Sequence, residues 1–163
     1  MWNSLLEFAV WYRDNKFPVE PPADTKVYVT DVSYSSIIFR RGKFQVEQYF
    51  MKPNAVVPLH RHDFENITIW MGGQMCGIRE GMNEPANVGG DEVGDKAHSK
   101  MGRINRPLMA GEAHAFTVGP QGCILFICEL WNKDINPTSA TEHYYGEPMG
   151  PIHNNTLSML QEN

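Results

Sequence analysis

Positive charge is scarce in this chain of 163 residues, where 14 Lys and Arg stand against 19 Asp and Glu for a formal net charge of -5. Arg40-Arg41 is the longest basic run, so the charge pattern offers no footprint for nucleic acid, and none is expected as a partner. Cysteine is sparse too. Cys76, Cys123 and Cys128 are odd in number and form no Cys-x-x-Cys pair, which excludes a disulfide framework and a zinc ribbon and suits a reducing compartment. No run of about eighteen apolar residues occurs, and Met1 to Tyr12 lacks a basic leader and a small-residue cleavage site. The expectation is a cytoplasmic protein with no membrane partner. Internal repeats, a phosphate loop, a Ser-His-Asp order and paired acids at glycosidase-like positions are missing as well, which sets nucleophilic and phosphoryl-transfer mechanisms aside.

What is present is a globular mix, 42% hydrophobic and 20% charged, of a length that fits one domain. The chemistry concentrates between Pro58 and Gly73. His60 and His62 are two apart, so on an extended segment both imidazoles point to one face and can grip one metal ion from the same side. A carboxylate, Glu65, and an amide, Asn66, follow within reach. Ile67 to Met71 then reads as a β-branched and aromatic strand ending at the Gly72-Gly73 turn signal.

Around this stretch the pattern is mostly β. Ser4 to Tyr12 is an amphipathic helix capped by Asn3 or Ser4, and Phe17 to Ala23, with Pro18, Pro21 and Pro22, is an extended arm. Strands are expected over Lys26 to Val32, Ser36 to Arg40, Lys43 to Met51, Gln74 to Arg79, Arg103 to Leu108 and Ala113 to Val118, and over the very apolar Cys123 to Trp131. Pro53 to Pro58 and Gly119 to Gly122 read as turns. Glu80 to Gly102 is a long polar, Gly-rich excursion, either a lid or locally disordered. The division expected is an N-terminal helix and arm over 1–25, a β-barrel over 26–132 with its long loop at 81–102, and an irregular tail over 133–163. Many short strands with Gly and Pro turns and no βαβ alternation make this an all-β barrel or sandwich.

The His-Arg-His segment with its following acidic position and glycine, together with Met109-Ala110-Gly111-Glu112-Ala113-His114, resembles the two motifs of the cupin superfamily. The resemblance covers roughly Val46 to Leu130. It implies a single-domain jelly-roll barrel (a double-stranded β-helix) with a short N-terminal helix, in which His60, His62, a glutamate and His114 hold one divalent metal. The family's usual spacing puts Asn66 at the glutamate position, whereas counting back from Gly72 selects Glu65. Strand parity leans to Glu65, which shares a face with Ile67, Ile69 and Met71.

Neutral imidazoles with a carboxylate suit a divalent transition metal, Fe or Mn first, with Ni, Co or Zn possible, and leave positions open for substrate or dioxygen. With Asn66 instead, the site is a more positive three-histidine centre, like those of the thiol dioxygenases and zinc-bound proteins among the cupins it resembles. The function expected is a metal-dependent cupin acting on a small-molecule substrate, a dioxygenase-type oxidoreductase ahead of an isomerase or decarboxylase. The alternative is a non-catalytic ligand-binding or assembly module. Trp70, Arg79 and Arg103 are candidate substrate-binding residues, either arginine able to clamp a carboxylate. Trp70, Cys76, Phe116 and Phe126 otherwise read as core, while His98, His143 and His153 read as surface groups. The arm resembles those that cupins exchange across a two-fold axis, so a homodimer is expected.

Overall fold

The structure is a computed structural model that describes residues 1–16, 25–84, 86–87 and 102–140. Helix α1 (Leu5–Lys16) opens with a reciprocal cap: Ser4 Oγ accepts the Glu7 N–H at 3.2 Å while the Glu7 carboxylate accepts the Asn3 N–H at 2.8 Å. Leu5, Phe8, Ala9 and Tyr12 fall on one helical face and are buried. They cover Val46, Ile67, Ile69, Phe126 and Cys128 on the outer face of the sheet.

The strands are β1 (Tyr28–Val29), β2 (Ser33–Arg41), β3 (Phe44–Met51), β4 (Val56–His60), β5 (Phe64–Arg79), β6 (Ala86–Asn87), β7 (Arg103–Ile104) and β8 (His114–Trp131). They hydrogen-bond in the order β1-β2-β3-β8-β5-β6, with β4 added on β8 and β7 on β5, and every pairing is antiparallel. The result is an all-β jelly roll in which, among the described residues, the hydrogen bonding does not close into a full ring. No helix of the described residues is long and apolar enough to cross a membrane.

β5 and β8, of 16 and 18 residues, run beside each other through the whole molecule. Gly73 pairs with Cys123 but Met75 pairs with Val118, so residues 119–122 form a bulge opposite Gln74. Gly73 takes φ +89°, and a Cβ there would lie 2.1 Å from the Gly122 carbonyl oxygen; only glycine fits. Parity then separates two cores. Tyr49, Met51, Phe64, Trp70, Leu125 and Trp131 point inward, while Val46, Ile67, Ile69, Phe126 and Cys128 point outward beneath α1.

Several expected boundaries move. The helix runs four residues past Tyr12, because Arg13 to Lys16 continue it with solvated side chains that apolar periodicity does not register. Val56 to Pro58, expected as the end of a turn, already belong to the strand Val56–His60; its register slips between Val57 and His60, where Pro58 has no N–H to give. Gly72-Gly73 does not reverse the chain. Both halves of β5 pair with β8 instead of with each other. The arm at Phe17 to Ala23, most of the 81–102 excursion, the tail beyond Ala140, and His98, His143 and His153 lie outside the described residues.

Candidate metal centre

His60 ends β4, His62 follows it, and His114 begins β8, whose register sets His60 opposite His114 and His114 opposite Arg79. Antiparallel pairing thus brings together two motifs that are more than fifty residues apart. The ring centroids lie 4.1 Å (His60–His114), 4.8 Å (His60–His62) and 5.3 Å (His62–His114) apart. One nitrogen from each ring lies within 4.8 Å of the others; an ion bound at about 2.1 Å would draw them in to roughly 3.0–3.4 Å of one another.

The environment keeps these rings in a metal-binding form. His60 Nδ1 is 2.7 Å from the Pro58 carbonyl and His114 Nδ1 is 3.0 Å from the Glu112 carbonyl. A proton on Nδ1 that bonds to a carbonyl leaves Nε2 as the lone-pair atom and fixes the ring's orientation. Burial, and then the neighbouring His114 and His62, push the His60 pKa down to about 2. Burial also lowers that of His114, against the opposing pull of Glu112. Both imidazoles are therefore neutral at ordinary pH, and the donor set fits a divalent transition metal.

The triad lines a cavity of about 550 Å³ together with Asn66, Thr68, Arg79, Arg103, Asn105 and Arg106 and the apolar side chains of Tyr49, Met51, Met75, Phe116, Leu125 and Ile127. Asn66 is 5% exposed and its backbone exchanges hydrogen bonds with Leu108, at 2.9 Å and 2.8 Å. Glu65 is not among the cavity-lining residues. The parity expectation is corrected here: Ile67 and Ile69, taken for an interior set, are buried beneath α1, and Glu65 shares their outward face while Asn66 and Thr68 face the cavity. An amide, not a carboxylate, accompanies the triad.

Of the substrate-binding candidates, Arg79 and Arg103 line the cavity. Trp70, 2% exposed, packs in the interior core instead. Arg79 donates Nη1 to the Pro107 carbonyl at 3.3 Å, and its Nε lies 3.8 Å from Glu112 Oε1. Arg106 and Asn105 were hidden within an expected strand. Also hidden was a second buried polar cluster, centred on Glu47 and Glu129, both 0% exposed. An acid within an apolar strand carries no local sign that a partner awaits it.

By sequence, no protein-family model and no curated protein matches the chain. By structure, the chain is similar to an oxalate decarboxylase of Bacillus subtilis, at 15% identity and TM-score 0.54 over 76% of this chain and 30% of that one. Mn(II) centres are described for that enzyme. Lactobacillus farciminis oxalate decarboxylase in complex with formate is similar at 13% identity and TM-score 0.54, over 76% of this chain and 34% of that one. The polyketide cyclase RemF of Streptomyces resistomycificus is similar at 17% identity and TM-score 0.52, over 70% of this chain and 78% of that one. The chain spans about a third of the length of the oxalate decarboxylases. These likenesses establish the cupin fold that the two His motifs resemble.

Proposed function

We propose that the chain is a metal-dependent cupin enzyme in which His60, His62 and His114 hold one divalent ion and the adjoining cavity receives a small organic substrate. The observation that carries this is three imidazoles, two of them held neutral by burial, converging at the wall of a cavity of about 550 Å³. A module with a structural metal would need no such space beside its ligands, so the cavity favours an enzyme over a binding or assembly role. Iron or manganese is the preferred ion, manganese having support from the Mn(II) centres of the Bacillus subtilis protein; Ni, Co and Zn suit the same nitrogens. When bound, the ion would supply Lewis acidity and, as Fe(II) or Mn(II), electron transfer to dioxygen.

The chain's own residues favour oxygen chemistry. Isomerisation asks for a protein base poised near neutral pH, and among the described residues the titratable groups lining the cavity besides the triad and the arginines are Asp31 and Tyr49. The Tyr49 pKa is raised well above its usual value by burial and by the nearby carboxylates, which removes it as a base. Burial raises the Cys76 thiol and raises Cys123 to about 12, so neither is a ready nucleophile. The walls around the triad are largely apolar, a setting that limits the water beside reactive oxygen intermediates. Decarboxylation, which also needs little from a protein base, stands next. The homodimer and the cytoplasmic location remain part of this proposal on the sequence grounds given above.

The test is elemental analysis of untagged protein, with His60→Ala/His62→Ala as control, followed by oxygen uptake with candidate organic acids. Near one equivalent of metal, lost in the variant, is expected. Absence of metal in both proteins after anaerobic loading with Fe, Mn, Ni and Zn would sink the enzyme reading.

A further inference from the structure

The cavity lining is unbalanced in charge. Among the described residues, Arg79, Arg103 and Arg106 line it against the single carboxylate of Asp31. Arg79 has Glu112 at 3.8 Å, but Arg103 and Arg106, exposed at the mouth, have no ion-pair partner among the described residues. A divalent ion on the three histidines would add to this surplus instead of offsetting it. Asn105 supplies an independent sign. Its backbone N–H is held by the Thr68 carbonyl at 2.9 Å, yet its side-chain nitrogen Nδ2 is buried without a hydrogen-bond acceptor among the described residues. A buried donor left unmatched is costly, and although Nδ2 is covered as it stands, the amide would gain a partner by turning toward an acceptor that enters the cavity beside it.

Beyond this polar wall the lining turns apolar, through Met51, Met75, Phe116, Leu125 and Ile127. We propose that the ligand of this cavity is an organic acid, its carboxylate accepted by Asn105 Nδ2 and Arg79 and drawn in by Arg103 and Arg106, with an apolar body of ring or branched-chain size against those side chains. A volume of about 550 Å³ is far larger than a two-carbon acid fills. The proposal rests on reading this cavity as the substrate site; it does not require the metal.

Calorimetric titration of the full chain, as purified and after chelation, separates the two ideas. The probes are 4-phenylbutyrate, its uncharged amide, phenylphosphonate and acetate. The chelated protein is expected to bind 4-phenylbutyrate at least about tenfold tighter than the amide, with phenylphosphonate no tighter than the carboxylate and acetate weakest. Asn105→Asp, which keeps shape but replaces the donor by an anion, should weaken the acid by about tenfold or more and leave the amide within about twofold. Arg103→Gln/Arg106→Gln should weaken the acid and flatten its salt dependence. Equal binding of acid and amide, or acid binding indifferent to Asn105→Asp, overturns the proposal. Tighter phenylphosphonate reassigns the site to phosphoryl groups and overturns it too. Loss of metal binding alone leaves these results unchanged and counts only against the metal centre.

Discussion

The three imidazoles at the cavity and the buried carboxylates of Glu47 and Glu129 lie in the same interior, linked through an aromatic stack. His62 lies 4.7 Å from Phe64, Phe64 lies 4.4 Å from Trp131, and Trp131 Nε1 donates to Glu129 Oε2 at 2.7 Å. The acid cluster is knitted into the protein. Gln45 Nε2 donates to Glu129 Oε2 at 2.8 Å, Ser35 Oγ and Ser139 Oγ donate to Glu47 Oε1, and the Ala140 N–H donates to Glu47 Oε2 at 2.8 Å. Gln45 also holds the Thr138 carbonyl at 2.6 Å, so this cluster fastens residues 138–140 into the barrel. The His rings, by contrast, turn their polar atoms toward one another and toward a cavity. Polar groups tied to neighbours and backbone in this way hold the fold, with Glu129 Oε1 left without a partner among the described residues, whereas groups that converge on open space are available to a ligand.

The comparison is broken most severely at the bend that sets both clusters in one interior. Gly73→Ala would place a methyl group 2.1 Å from the Gly122 oxygen and 2.6 Å from Cys123 Cα, at φ +89°. Backbone atoms cannot yield as a flexible side chain does. We expect a loss of about 3 kcal/mol or more in urea denaturation, or failure to fold, while Gly72→Ala, with open space at its Cβ, costs far less. Equal effects of the two would show that β5 does not turn at Gly73.

A subtler experiment uses the opposite proton linkage of the two clusters. Burial lowers the folded-state pKa of His60, so the unfolded chain takes up the proton, and that share of stability is lost as pH falls below the ordinary value of 6.5. Burial raises those of Glu47 and Glu129, first by desolvation and, for Glu129, then by the charge of Glu47. There the folded state keeps protons that the unfolded chain releases, so stability falls as pH rises above the ordinary carboxyl value of 4.5. Glu129→Gln removes one such group and keeps its shape. Its stability relative to wild type should therefore improve by about 1–3 kcal/mol between pH 4.5 and pH 8. A pH-independent difference would mean that Glu129 is ionised in the folded protein.

This contrast also explains what the sequence could and could not disclose. His60 and His62 were legible because a strand's two-residue period puts both on one face whatever the tertiary fold, and His114 because a second motif accompanies it. The all-β class followed from strand and turn chemistry, as at Gly42, and the jelly roll from the resemblance that the two His motifs carry. The role of parity at Glu65 was not legible, since Ile67 and Ile69 suit a surface beneath α1 as well as an interior, and only packing decides. Glu47 was hidden for a similar reason: an alternating strand predicts a solvated acid, and its partners Ser35 and Ser139 lie 12 and 92 residues away.

The smallest effect is the most pointed, because it decides which residue of the Glu65-Asn66 pair addresses the metal. Parity fixes the pair on opposite faces, and Asn66 stands in the cavity lining with the three histidines while Glu65 shares the face of Ile67. Asn66→Asp sets an anion beside the triad, opposite Glu129 in the strand register, and Coulomb attraction should tighten Zn(II) or Mn(II) by about tenfold. Glu65→Gln removes a charge from the far face and should leave metal affinity within about twofold in equilibrium dialysis. Were Glu65→Gln instead to lower affinity strongly while Asn66→Asp did nothing, β5 would have to be read one residue out of register. Ile67 and Ile69 would then face the ion, and the helix would lose the surface that it covers.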